Sequence, residues 1–311
     1  MGEKKQNGRN AIEVCHLTKD YGGGKGVFDL SFCVKRGEIL GFLGQNGAGK
    51  TTTIRHLLGF LTPEKGNVSI LGMDCRRQAE TIQKSLGYIP GEISFLDDMS
   101  GIQFLRFLAK YRGMRDFSRA EELIRRFELD PSGKIRKMSK GMKQKIAMVA
   151  AFMDCPSVLI LDEPTSGLDP LMQKRFTELL LEEKERGAAI LMSSHIFEEI
   201  EKVCDRVAVI RQGKLVAVQE MEEVKRQRKK CFLVTFENEA EAARFVSEQL
   251  ESGAGIRKLE KEKVKIELRE PNELNTFLHV LGGYRLSDLE SASESLEEYF
   301  MQFYGGDEDD Q

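Results

Sequence analysis

A layered α/β core followed by a small α+β domain is the fold this sequence predicts, and three observations predict it. From about residue 11 to residue 219, short apolar runs alternate with helical patterns, as stacked strands and helices require. Within that span the pattern turns helical throughout between about 92 and 155, which reads as a helical insertion between two strands. At Glu222-Glu223-Val224-Lys225-Arg226-Gln227-Arg228-Lys229-Lys230 the composition shifts to a charged run, and shorter strand and helix patterns resume beyond it.

The elements follow in order. Ile39-Leu40-Gly41-Phe42-Leu43 is a buried strand feeding a glycine-rich loop, and a helix with Ile54, Leu57 and Leu58 on one face should follow and end at Gly59. The insertion begins with Phe104, Leu105, Phe107 and Leu108 and closes with Ala147 to Met153. Val158–Leu161 and Ala189–Met192 are further buried strands, and Arg206–Ile210 with Lys214–Ala217 reads as a hairpin about Gln212-Gly213. These elements define a domain over residues 11–221. Residues 222–230 are then a charged linker or solvated helix. Residues 231–302 are a small accessory domain, with strands at Cys231–Phe236 and Val264–Leu268 and helices near 239–250 and 272–281. The acidic tail, residues 303–311, is expected to be disordered.

Composition narrows the function. The chain of 311 residues carries 47 basic and 50 acidic side chains, a net charge of -3, so bulk electrostatics give no reason to expect a nucleic-acid partner. Six cysteines lie scattered without a CxxC pair, which argues against a thiolate metal site and for a reducing compartment. The polar start Met1-Gly2-Glu3-Lys4-Lys5 reads as a frayed cytosolic end with no secretory signal. The most apolar stretch, Ile146–Leu161, is interrupted by Asp154 and Pro156, so no segment is expected to span a bilayer.

Gly44-Gln45-Asn46-Gly47-Ala48-Gly49-Lys50-Thr51 fits G-x-x-x-x-G-K-[ST] throughout, with Thr52 continuing the run. Its glycines let the backbone wrap closely enough to aim N–H groups at phosphate oxygens. Lys50 supplies charge for the β- and γ-phosphates, Thr51 offers a hydroxyl to Mg²⁺, and the next helix directs its dipole at the same anion. A second strand ends in two carboxylates 112 residues after Lys50. Asp162 is placed to hold the metal and Glu163 to orient an attacking water. Pro164-Thr165-Ser166-Gly167-Leu168-Asp169 follows directly.

These motifs resemble the ABC ATPase family over nearly all of residues 11–219. The resemblance implies a P-loop ATPase core with a helical insertion, ATP as substrate and Mg²⁺ as its metal. Tyr21, 23 residues before Gly44, stands where the family stacks an aromatic ring on adenine. Met138-Ser139-Lys140-Gly141-Met142-Lys143-Gln144 is similar to the family's L-S-G-G-Q signature, which captures a γ-phosphate held by the opposite subunit; Ser139 is a good helix N-cap there. Lys140 replaces the first glycine, and Met142-Lys143 separate Gly141 from Gln144. His195, after Ser193-Ser194, matches the histidine that contacts the γ-phosphate, whereas His16, His56 and His279 lack such a context. Where the family carries a glutamine that reaches the metal, this chain has Gly91-Glu92, so Glu92 is the candidate ligand.

The single cassette with a C-terminal extension ending in Leu296-Glu297-Glu298-Tyr299-Phe300 resembles ABC-2-type exporter ATPases. That implies a homodimer or heterodimer of ATPase subunits, coupled through the helical insertion to an integral-membrane permease and lying peripherally on the inner, cytoplasmic face of the membrane. The rival readings are a soluble ABC ATPase with a non-transport role and a nucleotide-binding regulatory module without turnover. One signature and no sustained heptads weigh against the first, and Lys50, Asp162, Glu163 and His195 against the second.

Overall fold

Parallel strands covered on both faces can carry apolar side chains at every position, and that is how the centre of this chain is built. The computed structural model describes residues 10–95, 98–228, 230–249, 255–268 and 274–301. They fall into two units, divided between Met221 and Glu222.

The first unit opens with two long antiparallel strands, β1 (Asn10–Asp20) and β2 (Gly26–Lys35). β3 (Ile39–Leu43) leads through the glycine loop into α1 (Lys50–Leu57). β4 (Lys65–Ile70) and β5 (Met73–Asp74) complete a four-stranded sheet of order β2-β1-β4-β5, which the apolar runs alone do not mark out. After the short α2 (Ala79–Gln83) and β6 (Leu86–Ile89) comes the insertion: α3 (Gly101–Tyr111), α4 (Ser118–Arg126) and α5 (Lys140–Phe152). Ser100 starts α3 with a reciprocal capping box to Gln103, satisfying two end groups at once.

β7 (Val158–Asp162), α6 (Pro170–Glu185), β8 (Ala189–Ser194), α7 (Phe197–Val203), β9 (Arg206–Arg211) and β10 (Lys214–Glu220) close the unit. The second sheet has the order β10-β9-β3-β8-β7-β6. Every residue of β3, β7 and β8 is buried, consistent with cover on both faces. The insertion is fastened to α6 by charge. Arg119 and Arg126 of α4 reach Glu183 and Glu182 at 2.8 and 2.6 Å, and Arg175 of α6 reaches Glu128 at 2.6 Å. Glu183 is almost fully buried, and its second partner, Arg186 at 3.1 Å, offsets the cost of burying that charge.

Register decides where the chemistry gathers. β3, β8 and β7 are parallel, with Leu43 opposite Ser194 and Asp162 opposite Ser193. The loops that leave them therefore emerge side by side at one edge of the sheet, where ligands bind in folds of this layout.

The expected charged linker begins as a helix, α8 (Met221–Gln227), with Met221 and Val224 buried three residues apart. The second unit continues with β11 (Lys230–Phe236), α9 (Glu239–Gln249), β12 (Gly255–Lys258), β13 (Lys263–Leu268), α10 (Leu274–Leu281), β14 (Leu286–Ser293) and α11 (Leu296–Met301). The sheet order β12-β13-β11-β14, antiparallel at every pairing, makes this a split βαβ arrangement. Val234, Phe236, Phe245, Ile266 and Phe277 form its core. The acidic tail lies outside the described residues.

Candidate active site

The loop after β3 turns back on itself through two glycines in left-handed conformations. Gly47 has φ +84° and Gly49 φ +113°, and a Cβ on Gly49 would come within 2.9 Å of Val27. Only glycine suits that combination of dihedral and contact. Gly49 is the N-cap of α1, so the helix opens directly onto the loop. Lys50, the first residue of α1, is buried; its Nζ donates to the Gly44 carbonyl at 2.5 Å and lies 3.2 Å from Glu163 Oε1. That second contact is an ion pair without hydrogen-bond alignment, since Glu163 Oε1 has no hydrogen-bond partner of its own.

Asp162 ends β7 with its side chain almost fully buried. Its Oδ2 accepts from Thr51 Oγ at 3.1 Å and its Oδ1 from Ser193 Oγ. Glu163 then takes φ +50°, an unusual conformation for a residue with a side chain, costing on the order of 1–3 kcal/mol. Its backbone N–H donates to the Ser193 carbonyl at 3.1 Å, and its Oε2 meets His195 Nδ1 at 2.8 Å. The carboxylate of Glu163 is thus held between a lysine ammonium and an imidazole.

A cavity of about 790 Å³ opens above these groups. Gln45, Asn46, Gly47, Gly49, Lys50, Thr51 and Thr52 line one wall, and Asp162, Glu163 and Glu92 another. Tyr21, a half-exposed ring at the turn between β1 and β2, also lines the cavity. Of the anticipated loop residues, Gly44 and Ala48 do not line the cavity. Gly44 acts through its carbonyl on Lys50, and Ala48 accepts from the Gly213 N–H at 2.9 Å. Glu92 is exposed on the rim, and a Cβ on neighbouring Gly91 would stand 3.2 Å from Asp162 Oδ2.

The cavity also recruits Lys25, Arg55, Tyr88 and Gln212, which no sequence motif singles out. Arg55 follows Thr51 by four residues and Thr52 by three on α1, so helical spacing alone could have marked it. Burial, and then the negative charge of Asp162, push the Tyr88 phenol up to about 12, so it stays a neutral donor beside the carboxylate.

Ser139, Lys140 and Gly141 stand apart: none lines the cavity of its own chain. Ser139 caps α5 by accepting from the Met142 N–H at 3.3 Å. Lys140 lays its methylenes over Gly167 and donates to Ser166 Oγ at 2.9 Å, and Gln144 donates to the Pro164 carbonyl at 2.5 Å. The N-terminus of α5 therefore grips the loop that follows Glu163.

A sequence profile described as ABC transporter matches residues 27–166, and an AAA domain profile matches residues 134–201. The chain is 34% identical to the bacitracin transport ATP-binding protein BcrA of Bacillus licheniformis, over 95% of this chain and 97% of that one. The chain belongs to the ABC transporter ATP-binding protein family. The ABC transporter ATP-binding protein YhcH of Bacillus subtilis is 30% identical over 96% of this chain and 97% of its own length. Among solved structures, an ATP-binding subunit of an ABC transporter superposes with a TM-score of 0.65 at 35% identity, covering 70% of this chain and 92% of that one. The cbiO1 structure from Clostridium perfringens, described as part of the ABC transporter complex cbiONQ, gives 0.59 at 26% identity over 78% and 97%. This ABC protein is thus an ATP-binding and ATP-hydrolysing transport subunit with the P-loop ATPase fold. Among its described residues, no helix is long and apolar enough to cross a membrane.

Proposed function

We propose that two ABC cassettes, this chain with a copy of itself or with a similar subunit, close on Mg-ATP and drive export through a separate permease. The observation that carries this reading is the separation of Ser139–Gly141 from their own chain's cavity. A hydroxyl, a glycine N–H and a helix dipole suited to an anion serve a site only if another chain supplies the phosphate.

Thr51, Asp162 and Glu92 form an all-oxygen donor set, which fits a hard cation of the Mg²⁺ type. Mg²⁺ bound there would neutralise charge on the phosphates. Lys50 neutralises the same charge from the other side. Glu163 aligns the attacking water and accepts its proton, and His195, which does not line the cavity of the single chain, fixes the carboxylate's orientation. Tyr21 supports the base. Lys140, seated on Ser166 in the single chain, adds positive charge beside Ser139 and Gly141 for a partner's phosphate.

A separate groove of about 400 Å³ supports the permease partner. Phe60 and Tyr111, both largely exposed, line it with Leu58 and Leu108 beside the charged Arg112 and Glu80. An amphipathic cytoplasmic segment of the permease suits that mixture. Docking there would hold the subunit on the inner face of the membrane. The alignment with the bacitracin transport protein extends through the C-terminal unit, which supports shared transporter architecture.

Protomer mixing tests the shared site. Lys50→Ala and Ser139→Ala chains each lack one half of every composite site. Mixed, they rebuild one intact site per heterodimer, so ATP-dependent dimerisation and turnover should return. No recovery in a mixture shown to contain heterodimers would overturn the reading.

A further inference from the structure

Glu163 and His195 lie on loops that leave two different strands, and their 2.8 Å contact exists only while both loops hold their relative position. Glu163 moreover occupies a left-handed backbone conformation that an unrestrained residue would leave. The Ser193 carbonyl restrains it from one side, through the Glu163 N–H.

On the other side stands Glu199, in the first turn of α7. Its half-buried carboxylate accepts from Thr165 Oγ, two residues beyond Glu163, and from Ser194 Oγ at 2.9 Å, one residue before His195. Both hydroxyl-bearing residues are buried. Ser194 Oγ in turn accepts from the Ile196 N–H at 3.0 Å, so the staple extends past His195 on its far side. Among the described residues no cation pairs with Glu199. Its bidentate reach adds a second tie between the two loops, beyond the Glu163–Ser193 hydrogen bonds and the Glu163–His195 contact.

We infer that Glu199 is a positioning residue for ATP hydrolysis, clamping the Thr165 and Ser194 loops so that Glu163 keeps its contact with His195 and faces the γ-phosphate. Glu199 does not line the cavity and acts through these two residues. The inference rests on the proposed roles of Glu163 and His195. Through this clamp, a displacement of α7, or of the loop gripped by Lys140 and Gln144, is transmitted to the water-orienting carboxylate.

The test is a double-mutant cycle on the full-length protein. Glu199→Ala should lower kcat by about tenfold to a hundredfold, the range for a misplaced catalytic group, with KM for Mg-ATP unchanged. Glu199→Gln, which keeps one acceptor, should recover part of the loss while melting at the wild-type temperature. In a Glu163→Gln background, Glu199→Ala should cost nothing further in single-turnover rate, because the group it positions is already gone. Full wild-type kcat in Glu199→Ala, or losses that multiply in the double variant, would overturn the inference. Wild-type turnover in Glu163→Gln alone would instead overturn the underlying assignment, which keeps the two failures distinct.

Discussion

Replacing Glu163 with glutamine removes one negative charge and almost no volume, so its consequences can be worked from the contacts it makes. In the wild-type chain the carboxylate lies 3.2 Å from Lys50 and 2.8 Å from His195. The amide retains an oxygen for one of these contacts but cannot take a proton from water. General-base assistance contributes roughly 10²–10⁴-fold, so kcat should fall by that factor, about 2.7–5.4 kcal/mol in the barrier. Nucleotide binding moves the other way. Removing the carboxylate's charge frees the buried Lys50 ammonium for the phosphates, so ATP affinity should hold or tighten. ATP-loaded dimer should then accumulate on gel filtration while phosphate release, followed by a coupled assay, nearly stops. Wild-type turnover, or slow turnover caused by weakened ATP binding, would refute the reasoning.

Lys50→Ala should weaken Mg-ATP by roughly 10–150-fold in equilibrium binding, the worth of a charge-assisted hydrogen bond of about 1.5–3 kcal/mol, and unchanged affinity would count against its role. Gly91→Ala brings a methyl to 3.2 Å from Asp162 Oδ2, so half-saturating Mg²⁺ should rise in a titration of ATPase activity while the melting temperature holds. Glu92→Gln should make ATP engagement less steeply Mg²⁺-dependent, since an amide binds a hard cation more weakly than a carboxylate; superimposable titrations would return Glu92 to the ordinary surface.

The correspondence between sequence motifs and site is close where function depends on local backbone. The loop from Gly44 to Thr51 needs left-handed glycines and a helix start, and both are written in consecutive residues. Strands β3, β7 and β8 are legible because both faces are buried and nearly every residue is therefore apolar or small. β12 and β14 are not, because each is an edge strand, and Leu286–Ser293 shows no apolar alternation to read. β1 and β2 escape for a related reason: bulges break their register, and a strict period of two breaks with it, while β5, at two residues, is too short to show a period.

By itself the sequence determined that this chain carries a phosphate-binding loop and ends a strand in two adjacent carboxylates, since short-range spacing dictates both. Only the tertiary structure decided which distant residues share that site. Lys25 and Gln212 meet the phosphate loop because β2 and β9 bring their turns to it, and Glu199 reaches Thr165 and Ser194 because α7 packs beside two parallel strands. Pairing between elements far apart in the chain is set by register and packing, which act through space and leave no local pattern in the residues that they join.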